Sequence, residues 1–168
     1  MLALDIKKEL DAALAEKPDD VEVRLDLMRF FTMTPRIAGG DMEKAHEQAA
    51  EIAKRDAALG HFARGYLAYR EKQYGPARIG FREAAKSPAR RALALRWLGW
   101  LSQETLQWDD AFAAFEELGD PYEIARTASF CSCRMEEGRA ALAAFLRAHP
   151  RDEKGRKLAR ELALGVGR

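Results

Sequence analysis

The sequence predicts an all-α solenoid built from about ten helices in antiparallel pairs, and three observations indicate this fold class. Helix formers such as Ala, Leu, Arg and Glu dominate, and only 6 of 168 residues are Pro. No stretch alternates apolar and polar residues in the manner of a strand. Four chemically special positions recur after 34 residues, which is typical of a helical repeat: Gly65, Tyr74, Ala77 and Phe81 return as Gly99, Trp108, Ala111 and Phe115.

The repeated positions fit a helix pair whose two backbones come close together. Gly65 and Ala77 stand 12 residues apart on facing helices, where missing side-chain bulk allows that approach. Tyr74 begins the second helix, and Phe81 lies one helical turn beyond Ala77 on the same face. Such a pair leaves an apolar surface uncovered, so it has to stack on a neighbouring pair.

Less regular segments flank the two regular repeats, residues 57–88 and 89–120, within one predicted domain of residues 1–168. These segments are an N-terminal helix at 1–18, a divergent repeat at 19–56, a shortened repeat at 121–150 and a C-terminal capping helix at 151–168. The divergent repeat spans 17 residues from Met28 to Ala45, five more than the regular copies, which places a loop insertion in Thr32–Asp41. In the shortened repeat, Phe115 to Phe145 spans 30 residues.

The helix boundaries follow from the apolar periodicity and from helix-starting residues. Asp41 and Asp152 are predicted N-caps, because a short acidic side chain accepts hydrogen bonds from the first turn. The predicted helices cover about residues 3–17, 20–33, 41–55, 57–71, 74–86, 89–105, 108–118, 121–134, 137–148 and 152–164.

These repeats resemble a known family in their detailed sequence. The segments Gly65–Tyr69, Gln73–Ala77 and Phe81–Ala85 are similar to successive thirds of the tetratricopeptide repeat consensus, and Trp97–Phe115 repeats the pattern. The resemblance implies a right-handed superhelix of TPR-like helix pairs. It also implies a concave groove, formed mainly by the first helix of each pair, in which partner peptides lie.

The groove residues can be estimated at about 100° of rotation per residue. Aromatic and arginine side chains dominate the candidates, and both residue types are enriched at binding hot spots. We therefore expect a peptide ligand with acidic and apolar side chains. The peptide-binding candidates are Arg29, Tyr66, Tyr69, Arg70, Arg96, Trp97, Trp100, Arg126, Phe130 and Arg134.

Two other interpretations of this surface bear on the ligand. The aromatic residues can instead pack between adjacent first helices, with the arginines stacked on them or solvated. Family members that grip the C-terminal carboxylate of heat-shock chaperones use Lys and Asn at positions that here hold Leu25, Arg29, Phe62 and Tyr66. This difference argues against a chaperone-tail receptor.

Composition excludes several classes of partner. The 28 basic and 27 acidic residues leave a net charge of +1, which predicts no general attraction to nucleic acid. No window approaches 18 uncharged apolar residues, so no membrane span is expected. The first ten residues lack the features of a secretory signal, so we expect the cytoplasm, with an export signal removed earlier as the open alternative.

Candidate chemistry is sparse, so we expect no enzyme activity, metal or cofactor. His46, His61 and His149 lie in different repeats, and none has a second metal ligand at helical spacing. Cys131 and Cys133 fall within a predicted helix, where they would point about 200° apart, so we expect both to be reduced packing residues.

The sequence therefore predicts a non-catalytic scaffold for protein–protein interaction. The alternative is an element of self-association, in which the groove or the end helices contact another copy of the chain to form a homo-oligomer. An enzyme ranks third, because no pair of titratable residues can be placed in one cleft from spacing alone.

Overall fold

A computed structural model describes residues 2–164, and this part of the chain is all-helical with no β-strand. The ten α-helices are α1 Leu2–Glu16, α2 Val21–Met33, α3 Met42–Arg55, α4 Ala57–Arg70, α5 Tyr74–Ala85, α6 Pro88–Glu104, α7 Trp108–Leu118, α8 Pro121–Cys131, α9 Met135–Ala148 and α10 Glu153–Leu164. Helices that follow one another in the chain pack as neighbours, so the predicted all-α class and helix pairing are confirmed. None of the described helices is both long and apolar enough to cross a membrane.

The chain forms two compact units, Met1–Ala94 and Leu95–Arg168, and the boundary between them falls inside α6. In the first unit, α2 packs on α3, α3 on α4 and α4 on α5. Its core contains Met28, Ile52, Phe62 and Phe81, all with virtually no solvent exposure.

Glycine residues set the distance between α4 and α5. A Cβ atom added to Gly80 would lie 2.6 Å from the Cα atom of Gly65 and 2.8 Å from the carbonyl oxygen of His61. No side chain fits there, so the two helix backbones are in direct contact. The predicted close approach at Gly65 is therefore confirmed, with Gly80 as its second participant.

In the second unit, the corresponding contact joins α6 to α7. A Cβ atom at Gly99 would lie 2.3 Å from the ring of Phe115, which is fully buried. Helices α8, α9 and α10 enclose a further apolar cluster that contains Ala125, Leu142 and Leu158. Small residues at the predicted positions thus bring the paired helices together in each unit.

The turns inside the two regular repeats have the same backbone conformation. Lys72 and Leu106, 34 residues apart, adopt the left-handed values φ 61° and φ 58°. The next residue in each turn donates its N–H to a carbonyl oxygen five residues back, at 2.8 Å in both cases. The following residues, Tyr74 and Trp108, begin α5 and α7 as predicted.

Aspartate side chains cap several helices. Asp41 accepts hydrogen bonds from the first turn of α3, and Asp152 accepts one from the N–H of Gly155 at 2.7 Å, as predicted for both. Asp56 caps α4 through the N–H of Leu59 and also pairs with Arg90, whose guanidinium lies 2.7 Å away. Arg90 contacts Glu22 as well, at 2.5 Å.

These three charged residues, Glu22, Asp56 and Arg90, are spaced by 34 residues. Each lies near the start of the first helix of its repeat, in α2, just before α4 and in α6. The ion pairs therefore connect equivalent positions of successive repeats within the first unit.

The predicted insertion lies between α2 and α3, where Arg36–Ala38 forms a short 3-10 helix. Gly39 follows with φ 103°, a backbone conformation that glycine adopts most readily. A Cβ atom at Gly40 would lie 1.7 Å from the carbonyl oxygen of Thr34, so the insertion folds back tightly on the end of α2.

The end of α8 differs from the prediction, and the cysteine assignment was wrong. The helix stops at Cys131 instead of continuing to residue 134, and Ser132 adopts a left-handed conformation with φ 53°. Cys133 therefore does not share a helix with Cys131, and the two sulfur atoms form a disulfide bond. The expectation of two reduced thiols failed because it assumed an uninterrupted helix.

Candidate functional site

Four of the predicted binding residues lie in the first unit, and the structure divides them by exposure. Tyr66 is only 2% exposed and stacks on Phe62, so it contributes to packing instead of a free surface. Tyr69 is half-buried and lies 6.3 Å from the ring of Tyr74. Aromatic packing, the alternative interpretation of the pattern, thus describes these tyrosines better.

The two arginines of this group form polar contacts within the first unit. Arg70 is exposed at the end of α4 and donates to the carbonyl oxygen of Thr32 at 3.3 Å. Arg29 pairs with Asp26 at 3.3 Å on the same helix. Arg70 thus connects the ends of α2 and α4, while Arg29 contributes to the polar surface of α2.

The predicted residues of the second unit include a tryptophan pair. The rings of Trp97 and Trp100 meet edge to face, 5.3 Å apart, and both side chains are half-buried. Arg96, on the same helix, is exposed. The indole Nε1 of Trp100 is buried and contacts the carboxyl group of Glu123.

Helices α6 and α8 bring five polar side chains together in what we term the α6–α8 cluster: Trp100, Gln103, Glu123, Arg126 and Thr127. Gln103 donates to the hydroxyl oxygen of Thr127 at 2.8 Å and accepts from Arg126 at 2.9 Å. Arg126 also lies 2.9 Å from a carboxyl oxygen of Glu123. The cluster thereby ties the C-terminal half of α6 to α8.

Glu123 is the most unusual member of the cluster because a carboxyl group is seldom buried. The residue is only 6% exposed. Burial raises the pKa of Glu123, whereas the charge of Arg126 and contacts with Trp100 and Gln103 oppose this rise without cancelling it. Two buried atoms of the Glu123–Arg126 pair, Oε2 and Nε respectively, lack an aligned hydrogen bond within the described chain.

Phe130 lies next to this cluster, one helical turn beyond Arg126. Its ring lies 5.4 Å from the guanidinium carbon of Arg126, which is cation–π distance. The side chain is 49% exposed. The surface of α8 therefore presents an aromatic ring and a guanidinium group side by side.

Arg134 belongs to a different set of contacts. It follows the end of α8 with φ 47°, pairs with Glu116 at 2.5 Å and with Glu137, and lies 4.2 Å from the ring of Phe112. These contacts join the α8–α9 turn to α7. The helical rotation that predicted Arg134 beside Phe130 assumed that α8 reaches residue 134, and that assumption was wrong.

Sequence reasoning missed Glu123 as part of a site. Asp120 caps α8 through the N–H of Glu123, so the residue lies in a first turn where glutamate is common and is usually solvated. The signal that could have identified Glu123 as part of the site was its spacing, because it lies three residues before Arg126 and four before Thr127 on the same helix.

Other parts of the described chain offer less chemistry. No group of three or more His, Cys, Asp and Glu side chains in residues 2–164 is arranged to hold a metal ion. An apolar groove of about 260 Å³ lies between α9 and α10, lined by residues that include Leu142, Leu146 and Leu162. The chain matches no protein-family model, and a comparison with curated proteins finds no match.

Proposed function

We propose that this chain is a non-catalytic, tetratricopeptide-type module that binds an acidic and partly apolar segment of a partner protein. The observation that carries the proposal is the half-exposed Phe130 ring beside the guanidinium of Arg126. Aromatic residues and arginine dominate protein-binding hot spots, because they bury a large area and form directional hydrogen bonds. The 34-residue repeat and its glycine contacts support the family resemblance.

The polar contacts of the α6–α8 cluster support a ligand at the same place. They hold Arg126 beside Phe130, because its guanidinium lies 2.9 Å from both Gln103 and Glu123. The side chain of Arg126 stays 30% exposed, so a carboxylate of a bound segment can reach it. An apolar side chain of the same ligand covers Phe130.

The buried carboxyl group gives this binding a pH dependence. Since burial raises the pKa of Glu123, protonation neutralises this group more readily than a solvated glutamate. The positive charge of Arg126 then lacks its internal partner. We expect an acidic ligand to bind more tightly as the pH falls towards the pKa of Glu123.

A displayed peptide library selected on the immobilised chain tests the proposal. Enriched peptides should carry acidic and apolar residues, and Phe130→Ala should weaken the best of them at least about tenfold, or about 1.4 kcal/mol. The matched control is Ile79→Ala, which removes a 65% exposed apolar side chain from α5. If both variants bind the best peptide with equal affinity and keep their helical content, the proposed site is wrong.

Self-association is the second candidate function, and the apolar α9–α10 groove favours it. A second copy of the chain burying that groove would form a homo-oligomer through the end helices. Ala143 is exposed and lines the groove, so Ala143→Glu should dissociate such an assembly without disturbing the fold. Light scattering that gives a monomer mass at every concentration would exclude this candidate.

A further inference from the structure

The Cys131–Cys133 disulfide occupies the turn between α8 and α9. Only one residue, Ser132, separates the two cysteines. Both cysteines are half-buried and Ser132 is exposed, so the bond lies at the protein surface, within reach of a solvent-borne thiol.

A structural role explains this bond poorly. A disulfide stabilises a fold mainly by shortening loops in the unfolded chain, and the stabilisation grows with loop length. The loop closed here is among the shortest a protein can form. A different role is therefore needed to account for the pairing.

The backbone around the disulfide is held in an unfavourable conformation. Ser132 and Arg134 have φ values of 53° and 47°, in the left-handed region that residues with a Cβ atom avoid. Residues two apart on a helix point about 200° from each other, so the disulfide and a continued α8 exclude each other. The segment Cys131–Arg134 contains neither Gly nor Pro, so nothing in its local sequence stops the helix.

Arg134 connects this turn to α7. Its guanidinium contacts Glu116 and packs on the ring of Phe112. Arg134 has the left-handed conformation and directly precedes the first turn of α9, so one residue carries both the turn and the contacts with α7. A change in the disulfide therefore alters the link between the α8–α9 turn and α7 within the second unit.

We propose that Cys131 and Cys133 form a redox site that undergoes thiol–disulfide exchange with a dithiol reductant. Opening the bond releases the α8–α9 turn and the contacts of Arg134 with α7. The substrate class is a dithiol in one direction and a disulfide such as oxidised glutathione in the other. The inference does not depend on the proposed binding function.

The exchange is balanced in atoms and electrons. A thiolate of the dithiol attacks the Sγ atom of Cys131, forming a mixed disulfide and expelling Cys133 as a thiolate. The second thiolate of the reductant then attacks the other reductant sulfur, the one bonded to Cys131 in the mixed disulfide, and Cys131 leaves as a thiolate. Two electrons pass to the protein, the reductant becomes a disulfide, and its two protons end on the cysteine sulfurs.

The surroundings favour Cys133 as the first leaving group. The carbonyl oxygens of Ala128 and Cys133 lie 3.7 Å from the Sγ atom of Cys131, which favours a protonated thiol there over a thiolate. The N–H of Cys133 lies 3.2 Å from the same Sγ atom and has the opposite effect, because a donor favours the thiolate. Cys133 itself lies two residues before Met135, where α9 begins, and the N-terminal end of a helix stabilises a negative charge.

The test uses the intact chain under native conditions. The oxidised protein is treated with dithiothreitol, alkylated with iodoacetamide and weighed by mass spectrometry, while amide hydrogen exchange is followed in parallel. We expect two alkyl groups without denaturant, full reoxidation by oxidised glutathione, and amide exchange at residues 132–137 that is at least about tenfold faster after reduction.

The double variant Cys131→Ser/Cys133→Ser is the matched control. It should take up no alkyl groups and should show the fast exchange of the reduced chain, while α4 exchanges equally in all forms. If the variant fails to fold, as judged by circular dichroism, the reduced wild type alone provides the comparison. The proposal is overturned if alkylation requires unfolding, or if the turn exchanges equally fast in the oxidised and reduced chains.

Discussion

Gly80→Ala tests the close approach of α4 and α5, because the added Cβ would meet backbone atoms of Gly65 at 2.6 Å and 2.8 Å. Overpacking a core costs about 1–3 kcal/mol, and we expect about 3 here because backbone atoms have no alternative rotamer. The better helix propensity of alanine offsets about 1 kcal/mol of this cost. The free energy of unfolding should therefore fall by about 2 kcal/mol, which lowers Tm by about 4–8 °C for a chain of this size.

Gly75→Ala is the matched control for this prediction. Gly75 lies in the same helix, and a Cβ atom there meets nothing within 4 Å. The same substitution should thus stabilise the chain by about 0.5–1 kcal/mol. Thermal and urea unfolding followed by circular dichroism measure both variants. If Gly80→Ala is as stable as Gly75→Ala, the inferred backbone contact is wrong.

Two charged sites give further predictions. Arg90→Ala should lower the free energy of unfolding by about 1 kcal/mol, and by less in an Asp56→Asn background, where the cap remains but the charge is lost. Burial raises the pKa of Asp56, but the Leu59 N–H and Arg90 lower it overall to a value below 3.8. The effect of Arg90→Ala should therefore begin to decline as the pH falls below 3.8 and should be smallest below the lowered pKa, where folded Asp56 is protonated. Urea unfolding that shows a constant effect would contradict this. For Glu123 the sign is opposite, because its pKa is raised in the folded chain. The wild type therefore loses stability as the pH rises above 4.5, where the glutamate of the unfolded chain ionises first. The Tm of Glu123→Gln relative to that of the wild type should increase between about pH 4 and about pH 7. A pH-independent difference in Tm would refute the assigned shift.

The helical repeat could be predicted because its signals are local or periodic. Tyr74 and Trp108 begin α5 and α7 as expected, and Gly99 meets Phe115 at the predicted helix crossing. The end of α8 could not be predicted in this way. Cys131–Arg134 has no helix-breaking residue, so local propensity continues the helix that the disulfide ends.

The candidate site was predictable only in part. Arg126 and Phe130 lie four residues apart on one helix, so periodicity alone placed them together. Gln103 reaches Arg126 from 23 residues away, and the burial of Glu123 depends on that neighbouring helix. Contacts of this kind have no signature within a single helix.

By itself, the sequence determined an all-α chain with a 34-residue repeat, because helix propensity, caps and recurring glycines act over a few residues or at a regular spacing. Only the tertiary structure decided that Tyr66 packs on Phe62, that Glu123 is buried beside Arg126 and that Cys131 pairs with Cys133. Burial and pairing depend on which helix face meets which neighbour and where each turn bends. Those quantities are set by packing between segments, which the pattern of one segment does not contain.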